Sequence, residues 1–358
     1  MTIEREKSIN QIKKVILIIE NYNNFRINIF LDKILVTGGA GFIGSHFLEF
    51  IEKRTSAKII VLDNLSYSAN IKNIPDNKQI EFIWCDIVNQ EHINYIFEIH
   101  KPNKVFHFAA ESHVDNSIKN YRPFLETNII GTINLLNASL SVNVDKFHFI
   151  STDEVYGSLE YSDLNLFKET TQIDPKNPYS ASKAAAEHYV KAWNNTYDLP
   201  YLITCSSNNY GIRQHQEKLI PKIVMNALND KKIVMYGGGE QTRDWLYVED
   251  HCNAIWTLEE QGITNEKFNI GGNCELQNIK LTKKILDIMN KDSDLIEKCY
   301  HDNIIKYCRP GQDSRYATDN TKITQKTKWR PRANLDNELF SIIDWYKKEF
   351  QKISLSAT

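Results

Sequence analysis

The sequence predicts an α/β fold, a doubly wound parallel sheet with a smaller C-terminal α/β lobe. Three observations predict it. β-Branched runs alternate with helical stretches of roughly ten to fifteen residues, a glycine-rich turn directly follows the first run, and past residue 205 the strand spacing loosens into glycine-marked turns.

In chain order, residues 1–32 are rich in Lys, Asn and Ile. A weak helical pattern through Ile9, Ile12, Val15, Ile16 and Ile19 runs into an Asn-rich stretch, which reads as a loosely docked extension rather than an interaction helix. Within 33–205, the runs Ile34–Thr37, Ile59–Leu62, Glu81–Trp84, Lys104–Phe108, Phe147–Ser151 and Tyr201–Cys205 read as parallel strands buried on both faces. Right-handed crossovers join such strands, and the ligand crevice opens at their carboxyl ends. Functional residues are therefore expected just after each strand. Residues 206–350, punctuated by Gly237-Gly238-Gly239, Gly271-Gly272 and Arg309-Pro310-Gly311, read mainly as a substrate-binding lobe with some segments returning to the main sheet. The end, Lys352–Thr358, reads as frayed, and the chain has no internal repeat.

Charge and cysteine usage narrow the function classes. The 43 basic and 45 acidic residues leave a net charge of −2, so no basic field recruits nucleic acid or an anionic membrane. A small-molecule partner is expected instead. The six cysteines, Cys85, Cys205, Cys252, Cys274, Cys299 and Cys308, are widely spaced with no zinc-ligand pattern, and read as reduced thiols. The longest N-terminal apolar run, Val15–Ile19, is too short for a signal-peptide core or a membrane span, so a cytoplasmic protein is expected. His113, His148, His188 and His251 have no spaced partners and read as packing or surface residues; no metal is expected.

The first candidate site residues follow the first strand, in Gly38-Gly39-Ala40-Gly41-Phe42-Ile43-Gly44, with a helix expected over Ser45–Glu52. Gly38 permits the tight turn, Gly41 lets backbone N–H groups approach a pyrophosphate, and Gly44 allows close helix-to-strand packing, the signature of a Rossmann-type dinucleotide site. Asp63 ends the second strand, where a carboxylate accepts from both ribose hydroxyls and disfavours a 2′-phosphate; NAD is therefore expected over NADP, against a structural turn aspartate. Asp86 and Ile87 would flank the adenine. Tyr179 and Lys183, behind Asn177-Pro178, share one helical face at i,i+4 spacing. A neighbouring ammonium is expected to lower the phenol pKa, making Tyr179 a base toward an alcohol, while Lys183 holds the nicotinamide ribose.

The glycine loop, Asp63 and the Tyr/Lys pair together resemble the extended short-chain dehydrogenase/reductase superfamily, from Lys33 to about Lys348. Within it, Ser151-Thr152-Asp153-Glu154-Val155-Tyr156-Gly157 resembles the nucleotide-sugar 4,6-dehydratases, which carry Thr-Asp-Glu where sugar epimerases usually carry small or hydroxyl residues. Elimination of water needs an acid and a base, and adjacent carboxyls whose pKa values are driven apart can supply both. Further matches are Ala109-Ala110-Glu111-Ser112-His113-Val114-Asp115, Ser207-Asn208-Asn209-Tyr210-Gly211, Glu217-Lys218-Leu219-Ile220-Pro221, Arg243-Asp244-Trp245-Leu246-Tyr247 and Arg309-Pro310-Gly311-Gln312-Asp313.

The resemblance implies NAD contacts at Phe42, Ile43, Asn64, Ala109, Ala110, Glu111, Ser112, Thr127 and Asn209. It implies sugar-nucleotide contacts at Ser112, Thr152, Asn208, Lys218, Leu219, Arg243, Asn273, Arg309 and Asp313, with both arginines suited to phosphate oxygens. The implied reaction turns dTDP-glucose, or alternatively UDP-glucose, into its 4-keto-6-deoxy derivative. Tyr179 takes the 4-hydroxyl proton, Thr152 bonds the 4-oxygen, Glu154 removes the C5 proton and Asp153 protonates the departing 6-hydroxyl. Departures at Asn116, Ile212–Gln216, Cys274 and Gln312 lie in or near the nucleotide side and leave the base open between thymidine and uridine. A 4-epimerase and a non-catalytic NAD-binding sensor are the alternatives; the two acids argue against the first and the Tyr/Lys pair against the second. The resemblance also implies a homodimer, through helices near Phe124–Ser139 and Ser180–Asn195.

Overall fold

The computed structural model describes residues 32–299, 311 and 313–356. The readings made of residues 1–31, Arg309, Pro310, Gln312 and Cys308 lie outside the described residues.

All six anticipated runs form strands: β1 (Lys33–Thr37), β2 (Lys58–Asp63), β3 (Ile80–Trp84), β4 (Lys104–His107), β5 (Lys146–Thr152) and β6 (Tyr201–Ser206). With β10 (Glu266–Ile270) they make a seven-stranded, wholly parallel sheet in the order β10-β6-β5-β4-β1-β2-β3. Successive side chains on a strand face opposite ways, and the core divides accordingly. Leu35, Val105 and Phe147 pack on one face beneath α2 (Gln90–His100), α3 (Thr132–Ser141) and α4 (Pro178–Tyr197). Ile34, Val36 and Phe106 pack on the other, beneath α1 (Phe42–Ile51) and α6 (Val248–Glu260).

Beyond β6, β7 (Asn208–Tyr210), β9 (Thr242–Tyr247) and β11 (Glu275–Gln277) form a small mixed sheet, and β8 (Ile233–Tyr236) pairs with β12 (Ile296–Cys299). A separate apolar cluster joins α5 (Leu219–Leu228), α7 (Asn278–Met289) and α8 (Leu335–Ser356) through Ile223, Ile285 and Leu339.

Three boundaries correct the sequence reading. Helix α1 begins at Phe42 rather than Ser45, because Gly41 takes the N-cap position with an extended backbone. The stretch expected to fray is helical as far as Ser356. The helix expected over Phe124–Ser139 changes winding, with a π-helical segment at Leu125–Gly131 ahead of α3. Among the described residues no helix is long and apolar enough to cross a membrane.

Candidate active site

The glycine turn is built by close approach. Gly38 adopts φ +72° and donates its N–H to Leu62 O at 2.8 Å. A Cβ on Gly44 would lie 2.2 Å from Gly38 O, so the helix-to-turn packing admits no side chain there. A Cβ on Gly41 would meet only Gly38 O, at 3.3 Å, and otherwise occupy open space. That space is a cradle at the N-terminus of α1. Asp63, at the end of β2, accepts from Ala40 N at 2.9 Å and Leu65 N at 2.8 Å. The carboxylate is thus a turn-former, and with four lone-pair sites it still has capacity for ribose hydroxyls.

Gly38, Gly41, Phe42, Ile43, Gly44, Asp63, Asn64, Ile87, Ala109, Ala110, Glu111, Ser112, Thr127, Tyr179, Lys183 and Asn209 line one continuous cleft. Asp86 does not line it; its carboxylate caps the Val88 N–H at 2.9 Å. The glycine cradle, the Asp63 carboxylate at the end of β2 and the continuous lining between them fit a dinucleotide.

Beneath the cleft, residues absent from the sequence reading hold its floor. Thr37 Oγ1 bonds His107 Nδ1 at 2.7 Å and accepts from Ala109 N at 3.2 Å. Asn128, in the π-helical segment, accepts from Glu111 N at 2.9 Å and donates to Glu111 O at 3.0 Å and Ser182 Oγ at 2.8 Å. It therefore ties the Ala109–Ser112 segment to the helix bearing Tyr179. A π-bulge at a functional site is a recurrent arrangement.

Helix α4 starts at a capping box, with Asn177 accepting from Ser180 N and the Ser180 hydroxyl accepting from Asn177 N, and with Pro178 in the first turn. Tyr179 and Lys183 both point into the buried face, and Lys183 Nζ donates to Ile150 O at 2.6 Å and lies 4.1 Å over the Phe149 ring. Burial pulls the ammonium down to about 8, opposed by Glu187 and Cys205.

The expected lowering of the Tyr179 pKa is not what the folded chain displays. Burial first, then Glu154 and Asp153, raise it above the usual phenol value, with a bond to Thr152 opposing them. Lys183 turns one of its donors to the β5 backbone, while the charges of Glu154 and Asp153 act against ionisation of the phenol.

Thr152 ends β5 and caps a 3₁₀ turn over Asp153–Tyr156, accepting from Glu154 N at 3.3 Å. The turn separates the two acids. Glu154 faces the cleft, whereas Asp153 lies behind it, 1% exposed, with Thr318 Oγ1 3.3 Å from its carboxylate. Burial, reinforced by Glu154 and Asp244, raises the Asp153 pKa well above the ordinary carboxyl value, which favours its protonated form.

A second cavity adjoins the first and shares Ser112, Glu154, Asn208, Glu217 and Lys218 with it. Leu219, Arg243 and Asp313 line its far part, where Arg243 stacks 4.2 Å over Tyr316 and donates to Asp313 O at 2.9 Å. Tyr316 in turn bonds the Asp313 carboxylate. His113, read from sequence as a packing or surface residue, also lines this cavity. Asn273 lines neither cavity; its amide oxygen accepts from Asn320 at 3.1 Å. His148 bonds Thr204 within the sheet, and His188 is exposed. Among the described residues, Cys85, Cys205, Cys252 and Cys274 are free thiols and no metal-ligand cluster occurs.

The family profile for GDP-mannose 4,6 dehydratase matches residues 35–340. A dTDP-glucose 4,6-dehydratase of Shigella flexneri is 43% identical over 334 residues, spanning 88% of this chain and 92% of its own. The crystal structure of a dTDP-glucose 4,6-dehydratase from Streptomyces venezuelae with NAD and TYD bound superposes with a TM-score of 0.83 at 36% identity, covering 88% of this chain and 97% of that one. A UDP-glucose 4-epimerase from Thermotoga maritima, solved with UDP-glucose, shares the fold at TM-score 0.80 and 32% identity, covering 89% of this chain and 99% of that one. With the dinucleotide cleft, the Tyr179/Lys183 pair and the Thr152-Asp153-Glu154 turn beside them, the chain belongs to the dTDP-glucose 4,6-dehydratase family of the extended short-chain dehydrogenases/reductases.

Proposed function

We propose that this chain removes water from dTDP-glucose to give the 4-keto-6-deoxy sugar nucleotide, with NAD held in the first cleft and the nucleotide in the second. The observation that carries the reading is the split of two neighbouring carboxyls at the junction of the cavities: Glu154 lines both, while Asp153 is buried behind it, where burial and the nearby Glu154 and Asp244 push its pKa up. One group is placed as a base and the other kept as an acid.

Bound NAD supplies a hydride acceptor for the sugar's C4, a hydride donor for C6 and a positive charge in the cleft that Tyr179 lines. With that charge and the Lys183 ammonium offsetting the burial, Tyr179 would release its proton to solvent as the cleft fills, and the phenolate would then take the 4-hydroxyl proton. Thr152 donates to the oxygen that becomes the carbonyl. The C5 proton, acidified by the adjacent carbonyl, passes to Glu154 Oε, and Asp153 gives its proton to the 6-hydroxyl, which departs as water; on reduction at C6, Glu154 returns the proton to C5, and the proton taken up by Tyr179 restores Asp153. Arg243 and Lys218 bind phosphate oxygens, and Ser112 and Asn208 orient the sugar.

Incubation with dTDP-glucose and UDP-glucose in separate reactions, read by mass, tests this. A product lighter by one water from dTDP-glucose supports it, and the same loss only from UDP-glucose moves the base assignment. A product of unchanged mass with an inverted C4 is the outcome for an epimerase, the reading that the fold of the Thermotoga maritima enzyme allows and the acids at 153 and 154 oppose.

The chain is further proposed to act in the cytoplasm as a homodimer. Support comes from exposed apolar side chains at Leu125 and Ile130 on one helical stretch and Tyr189 and Tyr197 on α4. Sedimentation of wild type against Leu125→Glu/Ile130→Glu decides it, with dimer expected for the first and monomer for the second.

A further inference from the structure

Two chain segments far apart in sequence meet across the mouth of the dinucleotide cleft. One follows β2, and its Asn64, Ser66 and Ser68 line the cleft. The other follows β7, and its Gln214, His215, Glu217 and Lys218 line the opposite side. Between them stands Tyr67, whose hydroxyl donates to Glu217 Oε1 at 3.1 Å and whose ring meets the His215 ring edge-on at 5.3 Å. His215 Nδ1 lies 3.5 Å from the other Glu217 oxygen. The contact links residues 150 positions apart, and neither segment belongs to a helix or strand that would bring them together.

The second segment is well anchored on the side away from Tyr67. Arg213, at φ +65°, holds Glu49 on α1 through a bidentate pair at 2.6 and 2.8 Å. His46, also on α1, bonds Ile212 O at 3.1 Å, and Gln214 Nε2 donates to Asn209 O at 2.9 Å. The segment is thus braced on the helix whose N-terminus forms the glycine cradle. From that brace His215, Glu217 and Lys218 reach over the cleft, and Lys218 Nζ bonds Ser112 O at 2.8 Å on its inner wall.

We propose that Tyr67, His215 and Glu217 form a clasp that closes over the dinucleotide and slows its escape. The inference rests on the reading of the cleft as an NAD site. It supplies what the dehydration needs, because a cofactor that gives back the hydride it took must outlast the whole cycle. Burial raises the Tyr67 pKa and Glu217 adds to it, so the phenol keeps the proton it donates. Burial opposes ionisation of Glu217, but His215 and Lys218 outweigh it and hold the carboxyl below its usual range. The pair is therefore a neutral donor facing an anionic acceptor, the stronger kind of hydrogen bond. Half-exposure of Tyr67 limits its strength, which suits a latch that must open for loading.

The test is the release rate of NAD from the loaded, substrate-free enzyme, followed by exchange against a fluorescent NAD analogue. Tyr67→Phe and Glu217→Gln are compared with wild type and with Tyr95→Phe, an exposed tyrosine on α2. Release is expected to quicken about fivefold in each clasp variant and in the double variant alike, since either change undoes one shared bond. Tyr95→Phe should match wild type. Unchanged release in both single variants, or strictly multiplicative effects in the double, overturns the clasp while leaving NAD binding intact. A wild-type chain that binds no NAD overturns the cofactor reading and the clasp with it.

Discussion

At the scale of single residues, Asp153 pits stability against chemistry. Its pKa in the folded chain stands above the unfolded value because the side chain is buried beside Glu154 and Asp244. A carboxyl raised in this way contributes stability that is full below the unfolded pKa of about 4 and is lost as pH rises through the folded value. Asparagine has the same shape and no charge to bury. Asp153→Asn is therefore expected to gain about 0.5–2 kcal/mol at pH 8, the usual yield of one stabilising change, with the gain shrinking as pH falls. Dehydration should drop by about 10²–10⁴, the span of a lost general acid. Urea unfolding at two pH values, set beside product mass, reads both. A variant less stable than wild type at pH 8 would remove the argument that Asp153 is held protonated. Glu187, fully buried, accepts from Ser151 at 2.6 Å and from Lys267 at 2.7 Å, and Cys205 donates to it as well. Removing Lys267 alone would strand a buried charge, at a cost of about 3–5 kcal/mol.

At the scale of elements, the glycine turn separates folding from binding within one short segment. Gly44→Ala drives a methyl to 2.2 Å from a carbonyl oxygen, and the backbone must move. Gly41→Ala meets nothing closer than 3.3 Å and keeps an ordinary negative φ of −77°, but its methyl enters the cradle. Gly41→Ala is thus expected to melt within a few degrees of wild type while binding NAD about tenfold more weakly or worse, and Gly44→Ala to lose melting temperature as well. Calorimetry and NAD titration distinguish them. Elements like β1 and β2 were legible in the sequence because burial on both faces demands unbroken apolar runs. Strand β10 was not, since Lys267 and Asn269 interrupt it; both are buried, Lys267 on Glu187 and Asn269 on the Tyr156 hydroxyl and Phe167 O. Tyr179, Lys183 and the glycines were legible through fixed local spacing. Asn128, His107 and the Tyr67–Glu217 contact had no such signal, because each depends on partners tens of residues away.

At the scale of the whole molecule, the joint between the main sheet and the smaller lobe holds two histidines that are neutral when folded. His46 on α1 reaches Ile212 O, and His251 on α6 bonds Asn209 Oδ1 at 2.9 Å, both partners lying on the chain that leaves β6 for the lobe. Burial lowers His46 to about 4, with Arg213 adding to it, and lowers His251 to about 3. An unfolded histidine titrates near 6.5, so between that value and the folded pKa the unfolded chain binds more protons. Stability therefore rises with pH across this window and is lost as pH falls below about 6.5. From pH 7 to pH 5 each histidine should subtract on the order of 2 kcal/mol. His46→Gln keeps a side-chain donor near Ile212 O and His251→Asn keeps a polar group near Asn209, and neither can be protonated. Each substitution is expected to flatten the pH 7 to pH 5 decline in unfolding free energy by about 2 kcal/mol, and the pair by about twice that, because the two side chains share no bonding partner. Equal declines in wild type and variants would mean that these histidines charge without opening the joint. A flattened decline accompanied by acid-resistant NAD retention would tie the joint to the clasp, since Ile212 and Asn209 belong to the segment that carries His215 and Glu217 over the cleft.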